Sequence, residues 1–472
     1  MIAALDVSLG PGLTGEQAQA IYARGREAVV FALLELAKQL GEAQGLRAAV
    51  SSPATPSGMT PVHLKPAANS RSKRPGRKVG HPGVRREPPE RIDRRKEHRA
   101  ACCPDCGGRL KRCSQSRTRY TEDIPAGITP IITEHTIHRD WCPRCRKPVE
   151  PVVPDALPGG PLGNHVLALS AWLHYGLGNT LSQVVEVFNY HLHFKLTKGG
   201  LVQQFYRLQE ALFPWYEQLR REALAAAVLH ADETGWRVNG QTHWLWCFTD
   251  PRLTYYMIDR RRGSPALAEF FRDEFAGTLV TDFWGAYNAV VCGARQTCLA
   301  HLLRDLEHTE QYRSPGPRWP AFAKKLRRLL GDAIRLVKQR QRDEPAFASR
   351  RQRLDDRLAE LIETPWTDSQ AARLVKRLRR HRSDLLTFLD HPDVPFDNNH
   401  AERAIRPAVI IRKNSYCNRS QRGADAQAVL MSVYRTLKQR GHDPINAISD
   451  AITTLLNAGQ LPPLPSDTAT DG

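Results

Sequence analysis

No run of about 18 apolar residues occurs in this chain, and a helix that spans a bilayer needs roughly 20. A membrane partner is therefore not expected. The first residues also lack a basic stretch followed by a long apolar core, the pattern of a secretory leader. The expected compartment is the reducing cytoplasm, with the protein on the nucleoid when DNA is bound. Acidic residues are in short supply: 49 Asp and Glu stand against 68 Lys and Arg, a formal net charge of +19. Such an excess repels itself in the folded state and answers an anionic partner. DNA or RNA ranks ahead of an acidic membrane surface, because no strongly amphipathic basic helix stands alone.

Apolar residues are scarce between 71 and 99, where 12 Lys or Arg face 4 Asp or Glu. With so little to bury, the segment is expected to stay disordered until bound. Arg74, Arg77 and Lys78 in RPGRK suit a narrow minor groove, the alternative being a solvated charge run.

Cysteine is not scarce. Ten are present, and in a reducing compartment metal binding outranks disulfides. CPDCGG supplies Cys103 and Cys106, and WCPRC supplies Cys142 and Cys145. Each CPxC turn aims two thiolates at one point, so the four sulfurs complete one tetrahedral structural Zn2+ site. The 35 residues between the pairs read as a strand hairpin, which makes 101–150 a zinc ribbon. Cys102 is a bystander beside the first ligand, and Cys113 is a spare.

The 472 residues predict roughly two to four domains. Residues 16–46 read as a helix with Tyr22, Val29, Leu33, Leu36 and Leu40 along one seam. This is either a short coiled coil or a helix packed on its own domain, and Gly25 and Gly41 weaken a long zipper. A basic, Pro-rich linker occupies 47–100. Residues 163–224 are helical; a break at LTKGG fits either a DNA-reading helix-turn-helix or ordinary packing helices. Residues 225–302 switch to strands: AVLHADET, THWLWCFTD and LTYYMID, then a helix, the strand TLVTDF, a short helix WGAYNAV and the strand RQTCLAH. Three strands, a helix, then strand and helix in alternation is the order of an RNase H-like sheet. A basic helical insertion follows at 303–390, then a helix in 391–422 and closing helices in 423–460, with a loose tail from Leu461. The fold class is multidomain α+β.

Asp232 and Asp282 each end a strand, and Glu402 lies on a helix with Asn398 and Arg406 one turn to either side. Adjacent central strands would bring the two aspartates together, and a helix across the sheet could aim Glu402 at the same spot. Three carboxylates suit two hard divalent cations, Mg2+ or Mn2+, acting on a phosphodiester. Glu233 is expected to point to the opposite face. Asp250, Asp259 and Asp397 sit in turn-like contexts and are held in reserve. Cys298 and His301 form a CxxH at the end of the fifth strand, with a structural role or a contact to the scissile phosphate. No further zinc ligands are apparent for that pair. Asn399, Arg406, Arg412 and Lys413 are candidates for gripping a DNA end.

The sequences HADETGWRV, TDFWGAYN, CLAH and NNHAERAIRPAVIIRKN resemble those of the insertion-sequence-66 family of transposases. So does the order of helix, basic linker, zinc ribbon, catalytic domain and helical C-terminus, from about residue 16 to 457. The resemblance implies an RNase H-like catalytic domain and DNA transposition, with Asp232, Asp282 and Glu402 as the DDE residues. The 120 residues from Asp282 to Glu402 are more than a compact DDE enzyme has, and the helical insertion accounts for them. The implied reaction is metal-dependent cleavage at transposon ends followed by strand transfer into target DNA. Double-stranded DNA is the expected partner. A homodimer or larger assembly should hold both ends, and accessory proteins of the same element are further candidates. The rival readings are a zinc-ribbon DNA-binding regulator with a dead site, and an RNase H-like nuclease that cuts without joining.

Overall fold

The computed structural model describes residues 14–26, 28–30, 32–33, 90–92, 94–97, 102, 105–109, 111, 118, 128–337 and 344–468. Residues 47–89 of the linker, with Arg74, Arg77 and Lys78, and the first zinc candidate Cys103 lie outside the described residues. Helix α1 (Gly15–Ala23) opens on a capping box in which Thr14 and Gln17 bond each other's backbone. It stops at Arg24, and Gly25 takes a left-handed φ of +95° before helical residues resume. This corrects the single helix expected over 16–46: a glycine at positive φ breaks the seam. Tyr22 and Leu33 are exposed among the described residues, and Leu36 and Leu40 lie outside them.

The strands β1 (Asp140–Cys142) and β2 (Lys147–Val149) pair antiparallel around the second CxxC. Residues 128–139 carry no strand, contrary to the hairpin expected between the two CxxC pairs. Ile131 and Ile132 there are exposed, so no buried face fixes a ladder.

The centre of the molecule is a five-stranded sheet. Its strands are β3 (Val228–Val238), β4 (Gln241–Thr249), β5 (Thr254–Asp259), β6 (Phe275–Thr281) and β7 (Cys292–Thr297), in the order β5-β4-β3-β6-β7. The first three run antiparallel, and β6 and β7 lie parallel to β3. Asn239 and Gly240, both at positive φ, make the tight β3–β4 turn, whose twist matches the strands it joins. The helix α2 (Ser264–Phe271) carries the chain from β5 to β6; such a crossover is what a change to parallel pairing requires. Phe270 stacks on Phe248 with ring centroids 3.7 Å apart, which seats this helix on one face.

The helix α4 (Asn399–Ser415) packs on β3 and β4 from the other face, while α3 (Lys198–Leu224) and α5 (Gln421–Gln439) pack along the outer strand β5. Leu201, Phe205, Leu208, Leu212, Trp215 and Leu219 of α3 are all buried, as a packing helix requires. The outer strand β5 does not leave its N–H groups open. Thr254 and Tyr256 donate from the backbone to the Thr436 and Ser432 hydroxyls of α5, which protects an edge that would otherwise template a further strand. The tail is packed rather than loose: the Trp215 indole donates to the Pro462 carbonyl at 2.6 Å, and Leu464 is buried. Prolines leave this extended segment few amides to satisfy, so it can lie on an apolar surface.

A second core lies among α6 (Leu299–Tyr312), α7 (Trp319–Val337), α8 (Glu344–Glu363) and α9 (Ser369–Arg380). Asp305, fully buried on α6, binds Arg373 at 2.9 Å and Arg377 at 2.6 Å on α9. The segment then docks on β7. The Gln296 side chain donates to the Leu385 carbonyl and accepts from the Phe388 amide, and the Thr387 hydroxyl donates to the Arg295 carbonyl. Asp305→Asn should weaken this helical unit by about 2 kcal/mol, since charge-assisted hydrogen bonds contribute roughly that much. Amide hydrogen exchange in α6 and α9 would accelerate accordingly; unchanged exchange would mean that the two ion pairs do not hold the unit.

Candidate active site

The ladder between β3 and β6 ends at Leu229↔Leu279 and His230↔Val280. Two residues further along each chain stand Asp232 and Asp282, so parallel pairing sets them abreast. Asp232 lies inside β3, not at its end as expected from the sequence, because the strand runs on to the Asn239–Gly240 turn. Its Oδ1 accepts from the Glu233 amide at 2.9 Å. Asp282 is the first residue past β6, and its Oδ1 accepts from the Trp284 amide at 2.8 Å, an Asx turn that fixes its direction. Glu402 sits in the first turn of α4.

Asn398 pins the start of that helix against β3. Its Nδ2 donates to the Ala231 carbonyl at 2.8 Å, its Oδ1 meets His230 Nδ1 at 2.9 Å, and its backbone N–H donates to Cys298 Sγ at 3.2 Å. The CLAH segment is not part of β7. Cys298 caps α6 and His301 lies in its first turn, so the i, i+3 spacing brings both side chains to one face, beside Glu402. The Glu402 carboxylate is held by Arg304 at 2.5 Å, with His301 Nε2 at 3.9 Å.

In the ribbon, the Cys145 amide donates to Cys142 Sγ at 3.4 Å and holds that thiol below its ordinary range, which favours the ligating thiolate.

A sequence model described as the transposase IS66 family matches residues 159–426, more than half of the chain. A second, the zinc-finger binding domain of transposase IS66, matches residues 100–146. The chain belongs to the IS66 family of transposases. It is also similar to three uncharacterized proteins of Sinorhizobium fredii. One, y4hP, is 23% identical over 396 residues, 75% of this chain and 70% of the relative. Another, y4qI, is 26% identical over 45% of this chain and 43% of the relative. The third, y4jD, is 30% identical over 22% and 20%. The family makes this a DNA-processing chain with a zinc-binding domain ahead of the transposase domain. Among the described residues, no helix is long and apolar enough to cross a membrane.

Within this IS66-family domain the two aspartates are electrostatically frustrated. Burial pushes the Asp282 carboxyl up to about 7, with the Glu233 charge adding to it. Asp232 is raised well above its ordinary value by burial, then by Glu233 and Asp282, with Glu402 contributing least. Among the described residues, neither aspartate has a cationic side chain within ion-pair distance. Buried carboxylates without an ion-pair partner fit hard divalent cations.

Glu233 points to the opposite face, as expected, and has a role there. Strand alternation does turn it to the other face, beside Trp246, but that face is also buried. The Tyr287 hydroxyl donates to Glu233 Oε2 at 2.7 Å and Arg262 Nη2 to Oε1 at 3.0 Å. The Arg262 guanidinium lies between the Trp244 and Trp284 rings, 4.3 and 3.8 Å from their centroids. Glu233 thereby braces the loop whose Trp284 amide holds Asp282.

Arg412 is also corrected. Its guanidinium is committed to the Thr234 hydroxyl at 2.9 Å and to the Gly235 carbonyl, so it ties α4 to β3 and does not reach outward. Arg406 and Lys413 are exposed, and Asn399 caps locally on Asp397 at 2.7 Å. The reserve carboxylates are occupied in turns: Asp250 accepts from the Arg252 and Leu253 amides, Asp259 binds Arg261, and Asp397 accepts from the Asn399 amide. Arg304, Arg262, His230 and Asn398 escaped the sequence reading as functional candidates. HADET, DFWGAY and NNHAER were its signals for the surroundings of three of these contacts.

The sign of the pH dependence follows from Asp282. An acid whose folded pKa is raised binds its proton more tightly when folded, so stability is highest while both states are protonated. Without divalent cations, stability should fall as pH rises from about 4, where an unfolded aspartate ionises, to about 7, where Asp282 ionises in the fold. Asp282→Asn keeps the acceptor for the Trp284 amide and removes the charge. It should flatten the thermal midpoint over that window and raise it at pH 8. A variant with the wild-type slope would show that Asp282 is not the frustrated group.

Proposed function

We propose that the chain is a DDE transposase that cuts DNA at transposon ends and joins the freed 3′-hydroxyl to target DNA, on an RNase H-like core. The observation that carries this reading is the pair Asp232 and Asp282, buried abreast on neighbouring parallel strands without a cationic partner, with Glu402 on the helix pinned beside them. The strand order, with three antiparallel strands followed by two parallel to the first, supports the RNase H-like assignment.

Asp232 and Asp282, with Glu402, would hold Mg2+ or Mn2+, two per site. When bound, these cations neutralise charge developing at the reacting phosphodiester. In the first step, water oxygen bonds to phosphorus, the 3′-oxygen leaves and takes a proton. In the second, that 3′-hydroxyl displaces the 3′-oxygen of a target phosphodiester. Glu402 can join the aspartates only after parting from Arg304. A DNA phosphate offers the Arg304 guanidinium an alternative anion, so substrate binding and release of Glu402 are one exchange. The exposed Arg406 and Lys413, the Asn399 side chain, the arm with Arg74, Arg77 and Lys78, and the basic insertion would position the duplex. A dimer or larger assembly would hold both ends.

Asp232→Asn, Asp282→Asn and Glu402→Gln should each reduce cleavage and strand transfer by about a thousandfold or more while leaving DNA binding intact. Asp259→Asn, whose carboxylate is engaged by Arg261, is the control and should stay active. Oligonucleotides carrying the element's ends would read both steps. Three active variants would refute the triad, and cleavage without joining would leave a nuclease.

For the ribbon, purified protein should hold one tightly bound zinc through Cys103, Cys106, Cys142 and Cys145. Cys142→Ser should release it and expose 101–150 to protease, because metal binding and folding are coupled in so small a unit. A metal-free chain with a protease-resistant ribbon would overturn the assignment.

A further inference from the structure

Cys298 Sγ, an imidazole nitrogen of His301 and a carboxylate oxygen of Glu402 all lie within 4.8 Å of one another. Cys298 is the N-cap of α6, His301 lies in its first turn and Glu402 in the first turn of α4, so the three arrive from helix starts pinned together by the Asn398 amide on Cys298 Sγ at 3.2 Å. The position between them already attracts a cation. Arg304 Nη2 lies 3.2 Å from each ring nitrogen of His301 and 2.5 Å from Glu402 Oε1. Its side chain is half exposed, so the guanidinium can leave for solvent without opening the fold.

We propose that Cys298, His301 and Glu402 form a second metal site, selective for a thiophilic divalent cation such as Zn2+, which replaces Arg304 at the Glu402 carboxylate. One sulfur, one nitrogen and one oxygen make a donor set that zinc accepts and magnesium does not, because magnesium demands oxygen ligands. Binding breaks the Cys298 S–H bond, sends the proton to solvent and forms a sulfur–metal bond; a water can supply the fourth ligand. No electron is transferred. The site differs from the ribbon in sequence, in element and in ligand set. It also has a consequence that rests on the DDE reading: zinc and the catalytic cations would compete for Glu402, so zinc would inhibit magnesium-dependent cleavage. Binding itself does not depend on that reading.

The test is zinc stoichiometry on the full chain, with a chromophoric chelator as competitor. Wild-type protein should take up a second zinc beyond the tightly bound ribbon zinc. His301→Ala should lose the second and keep the first, Glu402→Gln should weaken it, and Arg304→Ala should tighten it by removing the competing cation. Co2+ added to protein with a zinc-filled ribbon should show a sulfur-to-cobalt charge-transfer band that Cys298→Ser abolishes. Cys298 is fully buried, so circular dichroism and retained ribbon zinc must accompany that variant. A wild-type chain that stops at one zinc, a His301→Ala chain that still binds two, or a second cobalt without the band would each overturn the proposal. Loss of zinc inhibition with the second zinc still bound would count against the triad reading alone.

Discussion

A buried amide must find partners for its donors and its acceptor, and Asn398 finds them in three residues on two different segments. Its side chain bonds the His230 imidazole and the Ala231 carbonyl on β3, and its backbone N–H bonds the Cys298 sulfur at the cap of α6. Leaving any of these groups unpaired would cost roughly 1–3 kcal/mol, so the geometry has one satisfied arrangement. That arrangement brings the helix with Glu402, one turn beyond Asn398, to the strand with Asp232, one residue beyond Ala231, and the Glu402 charge contributes to raising the Asp232 pKa. The site therefore depends on a neutral hydrogen-bond knot, and the charged residues are placed by it.

Placement by neutral contacts matters because the charges themselves repel. Glu233 raises the pKa values of both Asp232 and Asp282, Asp282 raises Asp232 further, and of these three only Glu233 has an ion-pair partner, Arg262. The Trp244–Arg262–Trp284 stack and the Tyr287 hydroxyl absorb that one charge on the far face of the sheet. On the near face the two aspartates keep theirs unmatched. In the proposed function, bound cations would relieve this pair, and without them it lowers stability.

Much of the sheet was legible from alternation and turn residues, and the sequence errors have physical causes. β3 was read as ending near Thr234, but it runs to Val238 because the turn belongs to Asn239 and Gly240 at positive φ. RQTCLAH was read as one strand; it is a strand to Thr297 and then a helix, since four residues show no period. Alternation places Glu233 on the opposite face, as observed, but does not show its burial, because a central strand buries both faces. Asp232, Asp282 and Glu402 stood out as chemistry attached to recognisable motifs. Arg304 did not, because one more arginine at the start of a basic insertion carries no signal until the fold places it on Glu402.

The insertion shows why a separation of 120 residues between Asp282 and Glu402 need not loosen the site. The chain leaves the sheet at Cys298 and returns at Asn398, and those two residues bond each other. Beside them the Leu299 amide donates to the Phe396 carbonyl at 2.9 Å. The helical unit is thus closed at its base by two hydrogen bonds, and everything beyond that base can vary in length at small entropic cost. Its second core of buried leucines gives it stability of its own, and the Gln296 and Thr387 contacts lock it to β7. The same closure brings Cys298, His301 and Arg304 to Glu402. A segment that is long in sequence is therefore short at its base, and the residues at that base, not the length above it, determine what surrounds the third carboxylate.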